Sequence, residues 1–147
     1  MINRTGRRER GRPHPRLLAV AGAVSLAAAS TLAPALLSSA SAATAGCSVT
    51  YTTASQWAGG FVANLTITNT GSAALSSWTL TFTEGGDQKV TNAWSATVTQ
   101  SGEAITATNL SYNGAIAAGG NTSFGFQGTW TASNAPPTSF TLNNVAC

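Results

Sequence analysis

From residue 47 onward, apolar and polar positions alternate. Phe61, Ala63, Leu65 and Ile67 share one parity, while Val62, Asn64, Thr66 and Thr68 take the other. Trp78, Leu80 and Phe82 alternate with Thr79, Thr81 and Thr83. Ile105 and Ala107 alternate with Thr106 and Thr108, Phe124 and Phe126 with Ser123, Gly125 and Gln127, and Phe140 and Leu142 with Thr141 and Asn143. A period of two, rich in Thr and aromatics, predicts strands with one buried face. Nothing after residue 42 carries a helical period. Trp94 is in phase with Ala96 and Val98, so spacing alone assigns it to the core.

Turn residues punctuate these runs. They are Asn69-Thr70-Gly71-Ser72, Gly85-Gly86-Asp87, Ser101-Gly102, Asn113-Gly114, Ala118-Gly119-Gly120-Asn121 and Asn134-Ala135-Pro136-Pro137. Short strands at this spacing predict an all-β, antiparallel sandwich. Trp57 precedes Ala58-Gly59-Gly60 in a turn-like stretch without alternation, and Tyr112 abuts Asn113-Gly114. Trp78 is in phase with core residues. Trp130 is in phase with Phe124 and Phe126, which favours core or a half-buried edge.

The first 42 residues read differently. Arg4, Arg7, Arg8, Arg10, Arg12 and Arg16 precede an Ala- and Leu-rich run over 17–33, then Ser38-Ser39-Ala40-Ser41-Ala42. This is the order of a secretory signal peptide. The run is short for the competing reading, a membrane anchor. Ala40-Ser41-Ala42 and Ala43-Thr44-Ala45 are both candidate cleavage sites. The expected organisation is a leader over 1–42 and one domain over 43–147, a secreted monomer with no membrane contact after cleavage.

Removing the leader changes the charge. The sequence pI of about 9.4 belongs to the leader. Beyond residue 42, only Lys89 opposes Glu84, Asp87 and Glu103, a formal charge of −2, and neither His nor Arg remains. That excludes an imidazole base, an imidazole metal site and a basic nucleic-acid footprint. No metal or other cofactor is expected. A glycosidase needs two carboxyl groups across the scissile bond. Here Glu84 and Asp87 flank a glycine pair, where acidic groups are expected to solvate a turn tip. Catalysis is therefore the disfavoured reading.

Cys47 and Cys147 are the only cysteines. In an exported chain, a pair reads as a disulfide, worth about 4–5 kcal/mol for a loop of this length in the chain-entropy model. The alternative is acylation of Cys47. Thr44-Ala45-Gly46-Cys47 resembles a lipobox, but with Thr where an aliphatic residue is wanted.

Several segments resemble the family-2 carbohydrate-binding modules, the bacterial cellulose-binding domains. They are Gln56-Trp57-Ala58-Gly59-Gly60-Phe61, Ser77-Trp78-Thr79-Leu80-Thr81-Phe82, Asn92-Ala93-Trp94-Ser95, Tyr112-Asn113-Gly114, Ala118-Gly119-Gly120, Phe124-Gly125-Phe126 and Ala135-Pro136-Pro137-Thr138. The resemblance covers Cys47 to Cys147. It implies a sandwich of about nine strands, immunoglobulin-like or jelly-roll in type, closed by a disulfide between its ends. It also implies a platform of three coplanar rings that stack on cellulose: Trp57, Trp94 and Tyr112. For Trp94 the resemblance opposes the parity reading. Tyr112 stands where the family usually has Trp, a smaller ring from which weaker binding is expected. Asn64, Asn92 and Gln127 are implied as edge hydrogen-bonders, against an alternative as ordinary strand-surface polars. Gly60 stands where the xylan-binding branch carries an arginine that turns the first ring out of plane. Gly60 and the presence of Tyr112 favour cellulose over xylan, while chitin stays open.

The expected function is thus a secreted, non-catalytic polysaccharide-binding module, standing alone or as part of a larger protein. The rival is an adhesive envelope sandwich that binds a protein partner. The rival does not require Trp57, Trp94 and Tyr112 to be exposed together.

Overall fold

A computed structural model describes residues 44–147. The expected leader and the cleavage site after Ala42 lie outside the described residues. Nine strands form in chain order: β1 (Cys47–Trp57), β2 (Gly60–Asn69), β3 (Thr79–Thr83), β4 (Lys89–Trp94), β5 (Thr97–Ser101), β6 (Ala104–Thr108), β7 (Asn121–Thr129), β8 (Phe140–Leu142) and β9 (Val145–Ala146). There is no helix among the described residues. One sheet has the order β1-β2-β7-β4 and the other β5-β6-β3-β8-β9. Every pairing is antiparallel. Cys47 and Cys147 are disulfide-bonded, tying the first strand to the chain end.

The alternation read in the sequence sorts side chains as expected. Phe61, Ala63, Leu65 and Ile67 of β2, with Phe124 and Phe126 of β7, point inward. They meet Trp78, Leu80, Phe82, Ile105 and Ala107 from the opposite sheet. Trp78 stacks on Phe124 with centroids 5.6 Å apart, and Phe82 stacks on Phe126 at 6.3 Å. Truncating one such Phe to Ala would cost about 3–5 kcal/mol.

Two local expectations are corrected. β4 and β5 are not one strand. Ser95 has φ +60° and carries the chain from one sheet to the other. The parity of Trp94 therefore does not continue into Ala96 and Val98. The acidic turn does not solvate its tip either. Asp87 accepts backbone N–H bonds from Thr131 (3.1 Å), Ala132 (3.0 Å) and Ser133 (2.9 Å). These bonds hold its carboxyl below the usual carboxylate range. Glu84 is buried, and neither carboxyl oxygen has a hydrogen-bond partner. Burial pushes its pKa up to about 7. The turn after β3 is thus packed onto the 131–137 segment, where Gln88 Nε2 also donates to the Ala135 carbonyl at 2.6 Å.

Candidate carbohydrate-binding face

The outer face of the β1-β2-β7-β4 sheet is read from its register. In β2 the residues alternating with the core set are Gly60, Val62, Asn64 and Thr66. Trp57 of β1 pairs with Gly60. Val62 pairs with Gln127, which pairs with Asn92. Asn64 pairs with Gly125, which pairs with Trp94. Trp57, Asn64, Asn92, Trp94 and Gln127 therefore share one face, and all five are exposed. The three amides lie between the two tryptophan positions. Those positions are offset by four residues along β2, roughly 13 Å at strand rise.

Both tryptophans sit on edge strands but reach inward. A Cβ on Gly60 would collide with the Trp57 indole, and a Cβ on Gly125 with the Trp94 indole. Each indole therefore lies against the backbone of the adjacent central strand. Trp57 is 48 % exposed and Trp94 39 %, which overturns the core reading of Trp94 from parity. One face of each ring is against the sheet, and solvent meets the other.

Tyr112 lies on the β6–β7 connection and is 72 % exposed. Its loop is fixed from below. The indole N–H of buried Trp78 donates to the Asn113 carbonyl at 2.8 Å. The Asn113 side chain accepts from the Leu110 N–H at 2.8 Å and donates to the Ser95 carbonyl at 2.6 Å. Ser95 directly follows Trp94, so the loop that carries Tyr112 is bonded to the end of the strand that carries Trp94.

Sequence reasoning left out three residues that shape this face. Trp130 is half-buried; its backbone N–H donates to the Gly59 carbonyl and its indole N–H to the Gly60 carbonyl, both at 3.3 Å. It clamps the turn that carries Trp57. In the sequence, Asn113 is a turn residue and Gly125 a position of the polar parity, and both stand in segments that carry the resemblance, with no role at the face assigned to either. The signals available were the phase of Trp130 with Phe124 and Phe126, and a glycine in mid-strand.

The face carries flat apolar rings with amides between them. Lys89 is turned away, its Nζ donating to the Gly102 carbonyl at 2.9 Å. Among the described residues, no group of three or more His, Cys, Asp or Glu could hold a metal ion. An apolar hollow lined by Leu75, Leu142 and Val145 lies at the disulfide end and includes no aromatic ring.

Residues 47–147 match the family described as Cellulose binding domain. The chain belongs to this family, that of the family-2 carbohydrate-binding modules. Exoglucanase A of Cellulomonas fimi is 47 % identical over 128 residues, covering 87 % of this chain. The chain spans only 14 % of that relative's length. Among solved structures, the chitin-binding domain of Chi18aC from Streptomyces coelicolor is 42 % identical, with a TM-score of 0.57 over 69 % of this chain and 93 % of that domain. The cellulose-binding family 2 domain of ScLPMO10C is 27 % identical, with a TM-score of 0.55 over 71 % of this chain and 99 % of that domain. Membership makes this a carbohydrate-binding chain with a polysaccharide as its partner.

Proposed function

We propose that this chain is a secreted, non-catalytic module that adsorbs to cellulose through Trp57, Trp94 and Tyr112. The observation that carries the reading is the shared exposed face on which two indoles lie against backbone glycines, with a third exposed aromatic, Tyr112, on a loop bonded to the residue after Trp94. Glucose rings in a β-linked chain present apolar C–H faces and equatorial hydroxyls. Flat rings take the faces, and Asn64, Asn92 and Gln127 take the hydroxyls. Removing roughly 100 Å² per ring from water contributes about 2–3 kcal/mol per ring before entropy losses. Three rings then support micromolar binding, which needs about 8 kcal/mol.

The likeness to a chitin-binding domain favours a second reading, in which the same face takes chitin. Depletion of the protein on microcrystalline cellulose, chitin and xylan separates the two. Binding to cellulose, weakened about tenfold or more by Trp57→Ala, supports the proposal. Preference for chitin moves the substrate but keeps the face. No adsorption to any of the three by folded protein rejects both and promotes the adhesive alternative. The module acts by holding whatever it belongs to at the polysaccharide surface, where effective concentration is high.

The proposed location rests on the disulfide, which suits an oxidising compartment, and on the leader-like residues 1–42. Cleavage after Ala42 retains Thr44, whose N–H donates to Ser72 Oγ at 2.9 Å and whose carbonyl accepts the Ser72 N–H at 3.0 Å. Cleavage after Ala45 removes both bonds. Mass measurement of the exported protein decides between them.

A further inference from the structure

We infer that Gly125 is a positioning residue that sets the plane of Trp94, and with it the preference for a flat crystalline surface over a free chain. The inference rests on the proposed adsorption to cellulose and deepens it. Gly125 stands in mid-strand between two inward-facing phenylalanines, so its own outward position is on the candidate face. A glycine inside a strand is destabilising relative to alanine, so its presence asks for a reason. The backbone supplies none. Gly59, Gly102 and Gly119 have positive φ, and Gly125 is not among them. The core supplies none either. A Cβ on nearby Gly128 would run into the Phe61 ring and the Lys89 carbonyl, whereas one on Gly125 would meet Trp94 alone among its nearest neighbours, at Cζ2, Cε2 and Nε1.

Gly125 is also buried although it lies on the outer face, as is Gly60 beneath Trp57. What the missing side chain provides is room for an indole to lie flat. The two glycines are on adjacent central strands, so the indoles rest on the same sheet surface from opposite edges. Any side chain at 125 lifts or tilts the Trp94 ring out of that arrangement. A crystal face presents sugar rings in one plane and does not bend to meet a tilted ring. A single soluble chain twists and follows it. A substituted residue 125 therefore weakens adsorption to crystals more than binding to soluble oligosaccharide.

The test is a double-mutant cycle with Gly125→Ala and Trp94→Ala, read by adsorption isotherms on microcrystalline cellulose and by titration with a soluble cello-oligosaccharide. Losing about half of the contact area of one ring corresponds to about fivefold to tenfold weaker adsorption for Gly125→Ala. The soluble ligand should change by less than about twofold. In the Trp94→Ala background, Gly125→Ala should cause no further loss. Equal losses in both backgrounds, or none in the wild type, would overturn the inference. If Trp94→Ala leaves adsorption intact, the platform reading fails first and this inference with it. A measurement on the unmutated protein guards against a variant that does not fold. The Gly125 Hα that takes the Cβ direction lies under the indole, so it should be shifted upfield of its geminal partner in the NMR spectrum and show cross-peaks to Trp94 ring protons, and the absence of both contradicts the geometry.

Discussion

The Asn113 side-chain amide donates to the Ser95 carbonyl at 2.6 Å, so the loop bearing Tyr112 is pinned to the residue that follows Trp94. The opposite end of the same amide accepts from Leu110, and the Asn113 carbonyl takes the Trp78 indole N–H. One asparagine thus links buried Trp78, the residue that follows Trp94 and the loop that bears Tyr112.

Asn113→Ala should therefore act beyond its stability cost. Two side-chain bonds are lost, which corresponds to about 1–3 kcal/mol of folding stability. Adsorption at a temperature where the variant is folded should fall to about the level of Tyr112→Ala, because the ring is no longer held in place. Isotherms measured with thermal unfolding check this. A destabilised variant that binds like wild type would show that the link does not position Tyr112.

Tyr112→Trp enlarges the third ring. An added contact of roughly 40 Å² is worth about 1 kcal/mol, so adsorption to cellulose should tighten about fivefold. Unchanged or weaker binding would mean that the ring at 112 does not lie on the sugar surface. The Tyr112 side chain is exposed, so the larger ring meets no core constraint.

Glu84 gives the fold a defined pH dependence. Its folded pKa of about 7 is above the ordinary 4.5, so the native state keeps a proton that the unfolded chain releases across that window. Stability from this group is complete below about pH 4.5 and is lost as pH rises through about 7. Asp87 acts oppositely. Its pKa is lowered, so its contribution is lost as pH falls through the folded value. Urea unfolding should show this contribution to wild-type stability declining between about pH 4.5 and about pH 7 and levelling off above that. Glu84→Gln should flatten that decline, and an unchanged slope would assign it to another group.

The core was legible because period two survives wherever a strand has one buried face, as in β2, β3, β6 and β7. The face was harder to read. The second half of β1 is exposed throughout, so Thr52, Thr53, Ala54, Ser55 and Gln56 carry no alternation, and Trp57 reads as a turn residue when it ends a strand. Trp94 was hidden by a sheet switch, since the positive φ of Ser95 breaks the parity that joins it to Ala96. Asp87 reads as solvated because its partners, Thr131, Ala132 and Ser133, are more than forty positions away, and nothing local in the sequence marks Glu84 as buried. Gly125 carries no side chain for a pattern to use, and its meaning appears only with Trp94 lying on it.

The most direct test of the central claim is adsorption to microcrystalline cellulose by wild type, Trp57→Ala, Trp94→Ala, Tyr112→Ala and the triple variant, each first shown to be folded. Every single change should weaken adsorption, by about tenfold or more for either tryptophan, and the triple change should abolish it. Wild-type adsorption by the folded triple variant would contradict that claim and move the binding surface away from this face.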